Sequence, residues 1–220
     1  MRFFIDTADK DKILALIPTG MVDGVTTNPS LIARNGDDMA KTIKGICNIQ
    51  NGPVSAEVTA TDHAHMVEEG QYLASLAKNV VVKVPLTVEG LIACKTLRHL
   101  GIQVNVTLCF SVAQALLAAK AGATYISPFV GRLDDADGEG AGMDLIKDIV
   151  EMYSFQGFNT EVLVASIRNV AHVEQAALFG ADVVTIPPHI VYEMYDHALT
   201  KTGLESFLAD WASTGQTILK

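Results

Sequence analysis

Lys83 stands in the middle of NVVVKVPLT, residues 79–87, a run whose β-branched residues predict a fully buried strand. An ammonium group resists leaving water, so a lysine in such a place calls for a reason. Desolvation disfavours the charged form of an amine. The uncharged amine is a nucleophile that adds to a carbonyl and gives an iminium, which takes up electrons when a neighbouring carbon–carbon bond breaks. Such chemistry also needs groups that move protons. Asp6 in FFIDTAD and Glu57 in VSAEVT are carboxylates near the ends of two other β-rich runs, and Thr107 in QVNVT offers a hydroxyl able to relay a proton through water. Each residue has a plainer reading. Lys83 could snorkel or pair on an edge strand, Asp6 could cap a helix starting near Ala8, and Glu57 could be a structural partner of Lys83.

The elements that must position these groups alternate along the chain. Short β-rich runs read as strands at RFFID, DGVTT, VSAEVT, VVVKVP, QVNVT, YISPF, EVLVAS and VVTIP. Between them lie helical patterns such as ADKDKILALI, DHAHMVEEGQYLASLA, VEGLIACKTLRHL, FSVAQALLAAKAG, GMDLIKDIVEMYS and NVAHVEQAALFGA. Strand–helix alternation predicts parallel strands with helical crossovers, and eight such units in 220 residues predict an α/β fold, a single (β/α)8 TIM barrel over residues 1–220. A doubly wound open sheet is the alternative. No Pro/Ser-rich linker divides the chain, and residues 201–215, with the only tryptophan, Trp211, read as an extra C-terminal helix.

In a barrel, catalytic groups gather at the carboxyl ends of the strands, and residues two apart on a strand share a face. Asp6, Thr26 and Asn28, Glu57, Lys83, Asn105 and Thr107, Ser127 and Ser166 all fall near those ends. Asn105 pairs in phase with Thr107, and Ser127 with Phe129, so the barrel interior is expected to be polar at that end. Arg132 in SPFVGR and Arg168 in ASIRN follow strands six and seven, where together with Ser166 they could hold an anion such as phosphate. Taken alone, both arginines also read as surface residues.

Composition narrows the partners. Hydrophobic residues make up 49% and charged residues 19%, the balance of a globular protein with a large core. The formal charge of -9 and the lack of a Lys/Arg cluster speak against nucleic acid or an anionic membrane as partner and for small molecules. Cys47, Cys94 and Cys109 lack metal-ligand spacing and fit a reducing compartment as small apolar packers. With no signal-peptide pattern at MRFFIDTADKDK and no membrane-length apolar window, the expected location is the cytoplasm. LDDADGEGAGMD, from Leu133, has Asp135, Asp137 and Gly138 in the order of a calcium loop but begins on leucine, and reads as a solvated loop leading into a helix. His63 and His65 lack a third ligand and read as surface or capping residues. No metal site and no dinucleotide fingerprint are expected.

FIDTAD, GVTTNPSLIA, VVVKVPLTVEGL and ASIRN together resemble the small transaldolases and fructose-6-phosphate aldolases over essentially the whole chain. The resemblance implies a class I aldolase barrel with Lys83 as the Schiff-base residue and no metal or organic cofactor. It implies Asp6 as the acid/base of carbon–carbon cleavage, and Glu57 with Thr107 as the pair activating the catalytic water. Asn28, Asn105 and Ser127 would orient the dihydroxyacetone hydroxyls, beside Thr26 and Phe129, and Ser166, Arg132 and Arg168 would clamp phosphate. Glu57 and Phe129 match the transaldolase branch, where the aldolase branch has glutamine and tyrosine; Gly131 replaces an asparagine of the aldolase branch. Transfer of a dihydroxyacetone unit between sugar phosphates in the nonoxidative pentose phosphate pathway is the leading expectation. A lyase making fructose 6-phosphate, or a non-catalytic sugar-phosphate-binding ring, is the alternative. The resemblance further implies a homo-oligomer, pentamer or decamer, with the C-terminal helix reaching a neighbour.

Overall fold

The computed structural model describes residues 1–36 and 38–219; positions 37 and 220, inside the expected 1–220 span, lie outside the described residues. Its strands are β1 (Arg2–Asp6), β2 (Gly24–Thr26), β3 (Val54–Glu57), β4 (Val80–Pro85), β5 (Val104–Cys109), β6 (Tyr125–Pro128), β7 (Glu161–Val164) and β8 (Val183–Ile186). They close in sequence order into a parallel barrel, β8 pairing back onto β1 through Arg2↔Val183 and Phe4↔Thr185. Closure decides against the open sheet, and the fold is a (β/α)8 barrel.

The helices are α1 (Lys10–Leu16), α2 (Pro29–Asn35), α3 (Met39–Ile49), α4 (His63–Leu76), α5 (Val88–His99), α6 (Val112–Lys120), α7 (Val130–Asp137), α8 (Ala141–Gln156), α9 (Val170–Leu178), α10 (Pro188–Glu193) and α11 (Ala198–Ser213). Side-chain caps start many of them where the sequence places a short polar residue. Asp9 caps α1, Asn28 caps α2 with Pro29 in its first turn, Asp38 caps α3, Asp62 caps α4, Thr87 caps α5, Ser111 caps α6 and Asn169 caps α9. Asp6 is therefore not the cap of the first helix, a role that Asp9 fills through the amides of Asp11 and Lys12. The extra C-terminal helix is present and begins at Ala198, three residues before the expected 201.

Two layers of core follow from the period-2 alternation of the strands. The outward residues, such as Val82 and Val84 of β4 and Val104 and Val106 of β5, pack beneath the helices with Leu73, Ala93 and Leu97. Each such aliphatic side chain, once buried, contributes roughly 1.5–3 kcal/mol. The inward residues change character along the barrel axis. Phe4, Val81, Tyr125, Leu163 and Val183 form an apolar layer, and above it lies the polar carboxyl end. At the opposite end the Arg2 guanidinium lies over the rings of Phe4 and Tyr125, 5.8 and 5.7 Å from their centroids, and pairs with Glu161. The interior is thus filled from below, and access to it is from the carboxyl end.

The acidic stretch from Asp134 is not a solvated loop, because α7 runs through Asp137. Its interruption of the pattern is only apparent: Val130, Gly131 and Asp134 point to the protein side, while Asp135 to Asp137 face solvent.

Candidate active site

Lys83 lies on β4 in register with Glu57 on β3 and Asn105 on β5. Only 5% of the residue is exposed, so its amine lies inside the barrel and not on an edge. Its Nζ sits 2.9 Å from Glu57 Oε2, 3.4 Å from the Thr27 carbonyl and 6.0 Å from the centre of the Phe129 ring. Burial this complete is tolerated for a cation only with a partner, and Glu57 supplies it.

Asp6 ends β1 in register with Thr26. Thr26 Oγ1 donates to Asp6 Oδ1 at 2.9 Å and lies 2.6 Å from Thr185 Oγ1. Burial pushes the Asp6 carboxyl above the usual carboxylate range, while the nearby Lys83 charge and the Thr26 hydrogen bond pull it back. A carboxyl so placed both takes up and releases a proton more evenly at neutral pH than a solvated one. Next around the barrel, Ser127 donates to Asn105 Oδ1 at 2.7 Å, and Asn105 Nδ2 donates to Ser55 Oγ at 3.2 Å. Thr107, in register with Ser127, is fully buried, and its hydroxyl has no hydrogen-bond partner among the described residues. The chain turns sharply just past it, Leu108 taking a left-handed φ of 63° where β5 shifts register.

A cavity of about 120 Å³ opens above this layer, lined by Asp6, Thr26, Asn28, Lys83, Ser127, Phe129, Arg132, Ser166 and Thr185 among others. Phe129 forms one wall, edge-on to Phe110 at 6.0 Å, with the Arg132 guanidinium 5.0 Å from its ring centre. Asn28 reaches the cavity while its side-chain oxygen caps α2 through Leu31 N at 2.9 Å. Ser166 is held in the left-handed region, φ 61°, a conformation costing a residue with a Cβ about 1–2 kcal/mol and often found at binding sites. A larger cavity of about 250 Å³ lies on the far side of Glu57, lined by Met39, Val58, Glu69 and Tyr72 among others. Glu57 borders it while its carboxylate touches the Lys83 amine.

Of the expected site residues, Asp6, Thr26, Asn28, Lys83, Ser127, Phe129, Arg132 and Ser166 line the smaller cavity; Glu57 meets it through Lys83, Asn105 through Ser127, and Thr107 is buried in register with Ser127. Arg168 does not line the cavity; its guanidinium stands at the rim, exposed, bonded to Asp135 at 2.9 Å. Sequence reasoning passed over Thr185 and Ser55, whose hydroxyls complete the ring on β8 and β3. Both were findable by period, Ser55 being two residues before Glu57 and Thr185 being the one polar residue of VVTIP. Gly131 gains a reason as well. A Cβ there would fall 2.5 Å from both Arg168 Cγ and the Ser166 carbonyl oxygen, so only glycine lets α7 approach the β7–α9 loop this closely.

The barrel and its polar mouth define a (β/α)8 protein whose site lies where barrels of this kind carry out their chemistry. An inosine 5′-monophosphate dehydrogenase from Legionella pneumophila shares the fold, with a TM-score of 0.59 and 17% identity over 86% of this chain and 58% of that one. Residues 3–218 match the family described as transaldolase/fructose-6-phosphate aldolase. Probable transaldolases from Caulobacter vibrioides and Phenylobacterium zucineum are 59% and 60% identical over 219 residues, covering 100% of either chain. One from Sinorhizobium medicae is 56% identical over 218 residues, 99% of this chain and 100% of its own. The chain belongs to the transaldolase/fructose-6-phosphate aldolase family and is an enzyme of the transaldolase type. Among the described residues no helix is long and apolar enough to cross a membrane.

Proposed function

We propose that the protein transfers a dihydroxyacetone unit from a ketose phosphate, fructose 6-phosphate or sedoheptulose 7-phosphate, to an aldose phosphate through a Schiff base on Lys83. The observation that carries this reading is the buried amine 2.9 Å from Glu57, facing a cavity that Asp6 also lines. Passing one ammonium proton to Glu57 frees the nitrogen lone pair, which adds to the C2 carbonyl of the donor. The carbinolamine then loses its hydroxyl as water, with Glu57 returning the proton, and leaves the iminium. Asp6 next removes the proton of the C4 hydroxyl; the C3–C4 bond breaks, its electron pair enters the iminium, and an aldose phosphate departs. The remaining enamine attacks the aldehyde of the acceptor, and Asp6 hands its proton to the new alkoxide. Water held by the Thr107 hydroxyl and deprotonated by Glu57 hydrolyses the new iminium and restores the amine.

Asn28 and Ser127, which line the cavity, suit the hydroxyls of the three-carbon unit, with Asn105 bonded to Ser127 behind them, and Arg132, Ser166 and Arg168 suit a phosphate, Arg168 by swinging from Asp135. Phe129 puts a hydrocarbon face over the amine, where a phenol would place water for hydrolysis, and so favours transfer over simple cleavage. On this reading the protein works in the nonoxidative pentose phosphate pathway of the cytoplasm. Helix α11 contains no buried residue and exposes Leu199, Leu204, Phe207, Leu208 and Trp211, which supports its packing on a neighbouring subunit of a pentamer or decamer. Borohydride reduction with fructose 6-phosphate tests the covalent step. A mass increase of one reduced donor or three-carbon unit on the Lys83 peptide is expected; an unmodified lysine in a ligand-saturated, folded sample overturns it.

A further inference from the structure

Behind the rim of the cavity lies a buried pair with no part in the chemistry above. Asp134, on α7 two residues after Arg132, spends both carboxylate oxygens inside the protein. Its Oδ1 accepts from Gly142 N in the first turn of α8 at 2.9 Å, and its Oδ2 lies 3.3 Å from His172 Nε2. His172 is in the first turn of α9, its own amide donating to the capping Asn169, and its Nδ1 accepts from the Arg168 backbone N–H at 3.4 Å. The side chains of His172 and Asp134 are only 11% and 15% exposed. Two backbone bonds close the circuit, Val130 N to the Ala165 carbonyl and Gly131 N to the Ser166 carbonyl, both 3.0 Å. Helix α7, which carries Arg132, and the strained loop from Ser166 to Arg168 are thereby locked to each other.

This arrangement fixes the state of the imidazole. A ring nitrogen that accepts from a backbone N–H carries no proton, so the proton sits on Nε2 and is donated to Asp134. Burial favours that neutral ring, with Asp134 and Glu139 opposing and Arg168 assisting. We propose that Asp134 and His172 are positioning residues that hold the Ser166–Arg168 loop in register with Arg132, and so set the affinity for the phosphate group of the substrate without touching it. The proposal rests on the reading of Arg132, Ser166 and Arg168 as a phosphate clamp.

Steady-state kinetics with fructose 6-phosphate and with fructose as donors separate the two, because the reacting carbons are the same and only the phosphate differs. Inorganic phosphate serves as a competitive probe of the clamp alone. In the wild type, preference for the phosphorylated donor and competition by phosphate are expected; if both are missing, the clamp reading falls and this proposal with it. With the clamp standing, His172→Leu is expected to raise KM for fructose 6-phosphate and the inhibition constant of phosphate about tenfold, the worth of one lost ordering hydrogen bond. Its kcat, and its kcat/KM for fructose, should stay within twofold. Asp134→Asn gives the second arm. An asparagine amide facing Nε2 drives the ring to its Nδ1–H form, which no longer accepts from Arg168 N, so the same selective loss is expected with the side-chain volume kept. His172→Asn, whose side-chain oxygen can take the place of Nδ1, should recover most of the phosphate affinity. Unchanged phosphate inhibition in Asp134→Asn, or an equal loss with fructose, overturns the proposal.

Discussion

Replacing Lys83 by methionine probes the chemistry and the electrostatics of the site together. The side chain keeps its length, so the barrel interior stays filled, but Glu57 loses the cation 2.9 Å away and retains only 14% of its side-chain exposure. Stranding one member of a fully buried pair costs about 3–5 kcal/mol. The residual exposure of Glu57 puts this case at the lower end, about 3 kcal/mol, or roughly 6–12 °C in Tm for a chain of this size. Lys83→Met/Glu57→Gln, with both charges gone, should unfold well above Lys83→Met, with a coupling of about 2–3 kcal/mol in the double-mutant cycle. Thermal and urea unfolding of the four proteins at neutral pH give these quantities. Turnover by Lys83→Met should fall by about 10⁴-fold or more in a coupled assay of transfer from fructose 6-phosphate. If Lys83→Met unfolds with the wild type at neutral pH and the cycle shows no coupling, the two groups are not paired in solution and the proton transfer between them is wrong. If it turns over within tenfold of the wild type, the covalent route is wrong.

Asp6→Asn should lower kcat by about 10²–10⁴-fold in the same assay. It should also stabilise the fold: a carboxyl raised by burial is favoured in its protonated form, so its contribution is present at acid pH and lost as pH rises through the raised value. The variant should therefore unfold above the wild type at neutral to alkaline pH and with it at acid pH, measured by thermal unfolding across that range. Thr107→Val removes a buried hydroxyl that has no partner among the described residues and keeps its shape. Stability is expected to hold or rise by about 1 kcal/mol while kcat falls about 10²-fold; a fall in both would give the hydroxyl a structural duty. Phe129→Tyr brings a hydroxyl toward Lys83 and should raise cleavage of fructose 6-phosphate to free dihydroxyacetone, read by product analysis with no acceptor present.

Much of the site was legible because a strand has one period and a barrel has one active end. VVVKVP put Lys83 in phase with Val81, and the structure shows Val81 in the apolar layer directly below it. The same reasoning placed Asp6, Glu57, Asn105, Thr107 and Ser127 at the carboxyl end. Elsewhere local pattern ran out. Helices α2 and α3 follow a three-residue strand, β2, and were not separated from the loops around them. Helix α7 was hidden by LDDADGEG, whose acidic and glycine-rich composition resembles a loop, because its stability comes from partners outside the helix: Asp134 is satisfied by Gly142 and His172.

By itself the sequence determined the alternation of strands and helices, the caps that start them, and the choice of polar residues for the ends of the strands. Those are properties of neighbours along the chain, set by side-chain period and by local hydrogen bonding. The tertiary structure alone decided that the sheet closes, that the Lys83 amine meets Glu57, that Thr185 and Ser55 complete the polar ring, and that Arg168 rests on Asp135. Each of these joins residues brought together only when β8 pairs with β1 and the helices pack around them. No pattern along a single strand records which group will face it from the next.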